Sequence, residues 1–152
     1  MTLEASLQQL RRLCRTIPPA NAMEMGVEDY CDGRLRLAAP LSANVNDKGS
    51  AFGGSLVSLM TLAGWGVVTL RLHQAGVDAD VFVADSQVRY RAPLYTDLLA
   101  EASLVDEGAW PGFLQTLRQR GRARIQLRAR VCLPDGGAAT ELEGRYVAMV
   151  RG

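Results

Sequence analysis

The sequence predicts an α+β protein in which an antiparallel sheet wraps one long central helix, with a further helix at the N-terminus. Three observations predict it. Residues from Ala51 to about Gln74 are apolar or small on every helical face, so that helix needs cover on all sides. The segments after it alternate polar and apolar residues with the period of half-buried strands. At 152 residues the chain is one domain, residues 1–152, and only its own sheet can supply the cover.

The elements follow in order. Leu3, Leu7, Leu10, Leu13 and Ile17 recur at steps of three and four, an amphipathic helix that Pro18-Pro19 stops. Asp32-Gly33 is a turn signal, and beyond it Arg34 and Arg36 alternate with Leu35 and Leu37 as a strand. The central helix comes next and spans roughly 36 Å at about 1.5 Å per residue. After Gly76, "DADVFVADSQVRYRAPL" and "DLLAEASLVD" read as strands, and "GAWPGFLQTLRQRG" as a loop or short helix carrying Trp110, Phe113 and Leu117.

The last two strands are the plainest. Arg122, Arg124, Gln126, Arg128 and Arg130 alternate with Ala123, Ile125, Leu127, Ala129 and Val131, and "ATELEGRYVAMV" follows a turn at residues 134–137. A hairpin turning near Gly136 sets Arg130 opposite Glu141 and Arg128 opposite Glu143, pairs that stabilise by about 0.2–1 kcal/mol each. Arg124 and Arg122 then face Val147 and Met149. With Arg118 and Arg120 they form a basic patch that is either a solvated face or a dock for phosphate or an acidic carrier protein. The order helix, strand, buried helix, four strands describes a hot-dog fold. Its open edge strand invites a twofold copy, so a homodimer, or a tetramer built from it, is expected.

Composition narrows the function. Net charge is +1, which gives no electrostatic case for nucleic acid or a membrane surface. Sixteen of the seventeen basic residues are arginine, for which codon bias in a GC-rich genome is the plain explanation. Cys14, Cys31 and Cys132 lack metal-ligand spacing, and His73 is the only histidine, so no metal is expected. Unpaired cysteines and an N-terminus without a signal-peptide core point to the cytoplasm. Gly, Arg and polar residues interrupt each apolar run, so no membrane-spanning helix is expected.

The chemistry concentrates in "NVNDKGSAFGGSLVSLM", Asn44 to Met60. A polar loop runs into a helix start with two consecutive glycines. One reading is a plain helix entry, with Ser50 as N-cap and Gly53 and Gly54 easing contact with the sheet. The other is an oxyanion hole, made of free amides at Gly53 and Gly54, the positive end of the helix dipole, and an asparagine that donates without titrating. Ser55 and Ser58 have no histidine beside them, and His73 lies roughly 31 Å along the helix from Phe52. Met25 and Met60 read as core, and Gly64-Trp65-Gly66 as tight packing around the indole.

The loop "NVNDKGSAFGGS", followed by "LMTLAGWGVVTL" and "VADSQVRYRAP", resembles the hot-dog thioesterase family and its proteobacterial malonyl-acyl-carrier-protein decarboxylases over essentially the whole chain. The resemblance implies that Asn46 is catalytic; Asn44 is assigned to holding the loop. Ordinary hot-dog thioesterases carry a histidine where Phe52 stands and an acid where Thr61 stands. Neither residue here can act as a base near neutral pH. Thioester hydrolysis needs such a base or a nucleophile. Losing carbon dioxide from a malonyl thioester needs only a stabilised enolate and a dry pocket.

The expected activity is therefore decarboxylation of malonyl-carrier protein to the acetyl form, which primes fatty acid synthesis. Asn46, Gly53 and Gly54 would be catalytic, and Asn44, Phe52, Thr61, Arg122 and Arg124 would bind substrate. The substrate would arrive on the phosphopantetheine of acyl carrier protein or CoA, with no cofactor. A thioesterase using Asp47 or Asp85 as base is the alternative reading, and a non-catalytic acyl-thioester binder the third.

Overall fold

The computed structural model describes residues 2–152. Thr2 caps helix α1 (Leu3–Arg15), its hydroxyl accepting the Ala5 amide at 3.1 Å. The leucine spacing turns Leu7, Leu10 and Cys14 inward. Pro18-Pro19 ends this helix but also opens a second, α2 (Pro18–Ala22). Proline suits the first helical positions, where the missing amide hydrogen would have no partner anyway.

The strand expected around Arg34 is one half of a hairpin, β1 (Gly26–Cys31) and β2 (Arg34–Ala39). Asp32 and Gly33 both take positive φ in its two-residue turn, and Asp29 receives Arg36 Nε at 2.8 Å across the pair. A register shift between Val27 and Asp29 breaks the period of β1, which hides it in the sequence. Then come α3 (Gly53–Gln74), β3 (Ala79–Tyr90), β4 (Leu98–Leu104), α4 (Trp110–Arg120), β5 (Arg122–Cys132) and β6 (Ala138–Val150). The ambiguous Trp110 segment is thus a helix. It is fixed to the far end of α3 by Arg71, which lies 4.5 Å from the Trp110 ring centroid and 2.8 Å from both Glu107 oxygens.

The strands form one antiparallel sheet in the order β1-β2-β4-β5-β6-β3, curled around α3. The expected register of the last hairpin is present, Arg130 opposite Glu141 and Arg128 opposite Glu143. The ion pairs differ. Arg130 stands between two carboxylates and takes the more sheltered one, Glu101 on β4, at 3.0 Å. Glu141 pairs instead with Arg91, and Arg128 reaches the Val105 carbonyl.

Two glycines let α3 sit close to its neighbours, though not around Trp65 as the sequence suggested. Gly66 faces Leu35 and Leu10, while Gly64 faces Tyr146. Tyr146 is fully buried and donates to the Thr61 carbonyl at 3.0 Å; burial pushes its phenol pKa up. Trp65 is only partly covered.

By length and composition alone α3 could cross a membrane, with a mean hydropathy of 1.4 over its most apolar window, contrary to the expectation above. The sheet explains that composition, since 61% of the window is buried inside the chain. Cover is incomplete along one face, where Ser58 is exposed and Thr61, Leu62, Trp65 and Thr69 are half-buried. Beside it β3, an edge strand of twelve residues, leaves Phe82 and Val83 exposed on opposite faces.

A methyl group at position 64 would stand 2.7 Å from Tyr146 Cζ and closer still to its hydroxyl. Gly64→Ala should cost about 1–3 kcal/mol in urea unfolding through overpacking. The same change should cost less in a Tyr146→Phe background, where the nearest atom is gone.

Candidate active site

The loop before α3 is tied down by its own backbone. The Asn46 amide donates to the Ser50 carbonyl at 2.8 Å, Phe52 N–H to the Asn44 carbonyl at 2.7 Å, and Ala51 N–H to the Leu94 carbonyl at 2.8 Å. Ser50 is therefore not the helix cap. Phe52 holds that position, and no side chain caps the helix start. The opening amides of α3, Gly53 and Gly54 among them, have no acceptor four residues back. They add their dipoles to the positive end of a 22-residue helix.

Asn46 is half-buried, and its amide is oriented by the loop itself. Oδ1 accepts the backbone N–H groups of Lys48 at 2.8 Å and Ser50 at 3.1 Å, while Nδ2 donates to Ser50 Oγ at 2.9 Å. An amide nitrogen carries two hydrogens, so one N–H is left to donate. Asn44 is engaged differently. It is 3% exposed and donates to the Met23 and Pro40 carbonyls, at 3.0 and 2.8 Å, pinning the loop to the end of α2.

Two aromatic rings flank the first turn. Phe52 lies over Gly54 so closely that a Cβ there would stand 3.0 Å from its Cζ, and its Cε2 is nearer still. Tyr90, at the end of β3, packs its ring edge on Gly53 and donates to the Gly53 carbonyl at 3.1 Å. Sequence reading missed Tyr90 as a site residue. A register shift between Val83 and Asp85 resets the in–out phase of β3, so counting by twos from Val81 sends Tyr90 to the wrong face.

Three buried side-chain oxygens among the described residues lack a partner: Asn44 Oδ1, Thr69 Oγ1 and Thr140 Oγ1. Thr140 is fully buried and paired in register with Tyr90, so its side chain shares the sheet face that Tyr90 turns toward α3. Unpaired buried polar atoms are uncommon.

The other expected residues spread out. Thr61 lies seven residues beyond Gly54, about 10 Å along the same helix face. Asp47 sits in the loop, exposed and paired with Lys48 at 2.8 Å. Asp85 points to the outer sheet face, and its hydrogen bond to Arg145 holds its carboxyl below the usual range. Arg122 and Arg124 are exposed on the outer face of β5, opposite Met149 and Val147. Measured along β6 from Thr140, that is about 23–30 Å from the Tyr90 end. A single chain therefore does not bring these arginines to the mouth of the site. Burial pushes the Cys14 thiol up to about 11, so it stays protonated within the core.

Residues 5–150 match the YiiD_C family, described as "Putative thioesterase (yiiD_Cterm)". The chain belongs to this family. The YiiD_C chain is also similar to proteins of known structure and to a curated protein. A thioesterase-named protein from Shewanella oneidensis is 30% identical, covers 96% of this chain and 99% of its own, and superposes with a TM-score of 0.85. A protein of unknown function from Chlorobaculum tepidum is 28% identical over 97% of this chain and 99% of its own, with a TM-score of 0.89. An esterase-named protein from Halobacterium salinarum is 34% identical over 92 residues, 58% of this chain and 60% of that protein. The YiiD_C chain is thus a hot-dog protein of the thioesterase superfamily.

Asn44→Ala would strip two donors from buried or half-buried carbonyls. It should lower unfolding free energy by about 1–3 kcal/mol, read as a shift of the urea midpoint.

Proposed function

We propose that this hot-dog protein decarboxylates a malonyl thioester to the acetyl thioester. The observation that carries the reading is a helix start with uncapped amides and a fixed asparagine N–H, with Asp47 paired to Lys48 and Asp85 held by Arg145 on the outer sheet face. The thioester oxygen would sit against the Gly53 and Gly54 amides and Asn46 Nδ2. The bond from Cα to the carboxylate breaks, and carbon dioxide leaves. The electron pair moves onto the thioester oxygen as an enolate, and Cα then takes a proton from solvent. One well-placed donor supplies about 2.7–4 kcal/mol to such a step.

Hydrolysis is the second reading, favoured by the family description and by Asp47 beside Asn46. It asks Asp47 to release Lys48 and activate a water.

A homodimer completes the proposal. The long edge of β3 and the half-covered face of α3 are the surfaces it would close. Twofold antiparallel pairing of two β3 edges would set the Tyr90 end of one copy beside the Ala79 end of the other. That arrangement brings the partner's Arg122 and the partner's Arg124 toward the site, where they would meet the phosphate of phosphopantetheine on an acidic carrier protein or CoA. The working compartment would be the cytoplasm.

Malonyl and acetyl thioesters, assayed separately for carbon dioxide and for free thiol, test the reaction. Carbon dioxide from malonyl substrate supports the proposal, whereas thiol release from both substrates without it moves the assignment to hydrolysis. Asn46→Ala should lower kcat by about 10²–10³-fold. Asn46→Asp keeps the two acceptor bonds of the loop and loses the donor, so it should lose turnover with little change in unfolding midpoint. Reversing Arg122 and Arg124 to Glu should raise KM for carrier-linked substrate, spare kcat and flatten the salt dependence, since such charges act mainly on encounter and are screened over about 8 Å. Unchanged kinetics in that double variant would leave the stripe as a solvated face.

A further inference from the structure

Phe52 and Tyr90 are large aromatic residues left more than half exposed, at 55% and 58%, on either side of one helix turn. Single exposed aromatics are ordinary, as at Phe82 and Tyr95, but two beside one helix turn make an apolar patch of the kind that marks a binding site. Each ring lies against a glycine, Phe52 over Gly54, where a side chain would displace it, and Tyr90 in van der Waals contact with Gly53. Tyr90 is also anchored by its hydroxyl to the Gly53 carbonyl, and its cross-strand partner Thr140 carries a buried hydroxyl without a partner. Two aromatic rings thus stand on either side of the turn that carries the Gly53 and Gly54 amides.

We infer that Phe52 and Tyr90 are specificity-determining residues that set the outcome of the reaction, carbon dioxide loss against hydrolysis. The inference rests on the decarboxylase reading. The two outcomes differ in what they ask of water. Hydrolysis adds water to the thioester carbonyl carbon and expels the thiol, so it needs a water held on the line of attack. Decarboxylation breaks the bond from Cα to the carboxylate and gains when that carboxylate loses its hydration. Two rings against the helix amides remove water from both places, which slows the first outcome and speeds the second. A histidine in place of Phe52 would hold a water there; a phenyl ring cannot.

The balance of products, rather than total rate, is therefore the readout. Wild-type protein with malonyl-CoA should release carbon dioxide with little free thiol. Phe52→Ala and Tyr90→Ala should each lower carbon dioxide release by tenfold or more and raise the ratio of free thiol to carbon dioxide by at least fivefold. Tyr90→Phe keeps the ring and should restore the wild-type ratio. Circular dichroism and elution volume check that each variant folds. Phe52→Ala decides alone if Tyr90→Ala does not fold, because Phe52 stands outside the core. An unchanged product ratio in the alanine variants, with carbon dioxide still released, overturns the aromatic wall and leaves decarboxylation standing. No carbon dioxide from the wild type removes the decarboxylase reading, and this inference with it.

Discussion

Everything in this fold answers to a helix that no side of water can accept. Helix α3 is apolar around its whole circumference, and the hydrophobic effect sets the cost of leaving any face bare. The chain meets that cost by curling one sheet around it, with α1 laid over part of the remainder. The buried Tyr146 hydroxyl then fixes depth and rotation by taking the Thr61 carbonyl over the gap at Gly64. A helix so fixed presents its first turn at one defined place, and the loop from Asn44 to Phe52 folds onto that turn. The geometry proposed for catalysis is a by-product of how tightly the helix is held.

Much of this was legible in the sequence because it obeys simple periods. The all-round apolarity of α3 announced the wrapping sheet. Strict alternation in β5 gave a hairpin register that the structure repeats residue for residue. What failed was partner choice and phase. Arg130 chose Glu101 over Glu141 because a third strand, unseen in hairpin reasoning, offered a more sheltered carboxylate. Irregularities in β1 and β3 each broke a period by one residue, hiding one strand and the inward turn of Tyr90.

The candidate site was legible in its parts rather than its arrangement. A polar loop running into paired glycines pointed to free amides, and the helix start is indeed uncapped. Yet the sequence offered Ser50 as cap, where the structure uses it to orient Asn46. Nor does spacing in sequence show that Asp85 is held by Arg145 on the other side of the sheet, or that Arg122 and Arg124 lie at its opposite end. Those facts belong to tertiary register, which one-dimensional patterns do not carry.

Strand order also governs how such a chain must be made. β3 directly follows α3, yet among the described residues the strand it pairs with is β6, the last strand, about fifty residues later. During synthesis the apolar helix and its neighbouring edge are complete well before their cover exists. β6 pairs on both sides, with β3 and β5, and carries the tyrosine that seats the helix. The thirteen residues from Ala138 to Val150 thus close the whole molecule at once. A chain stopped short of them would expose the helix, orphan β3 and leave β5 as a second bare edge, a species fit for aggregation or for a chaperone.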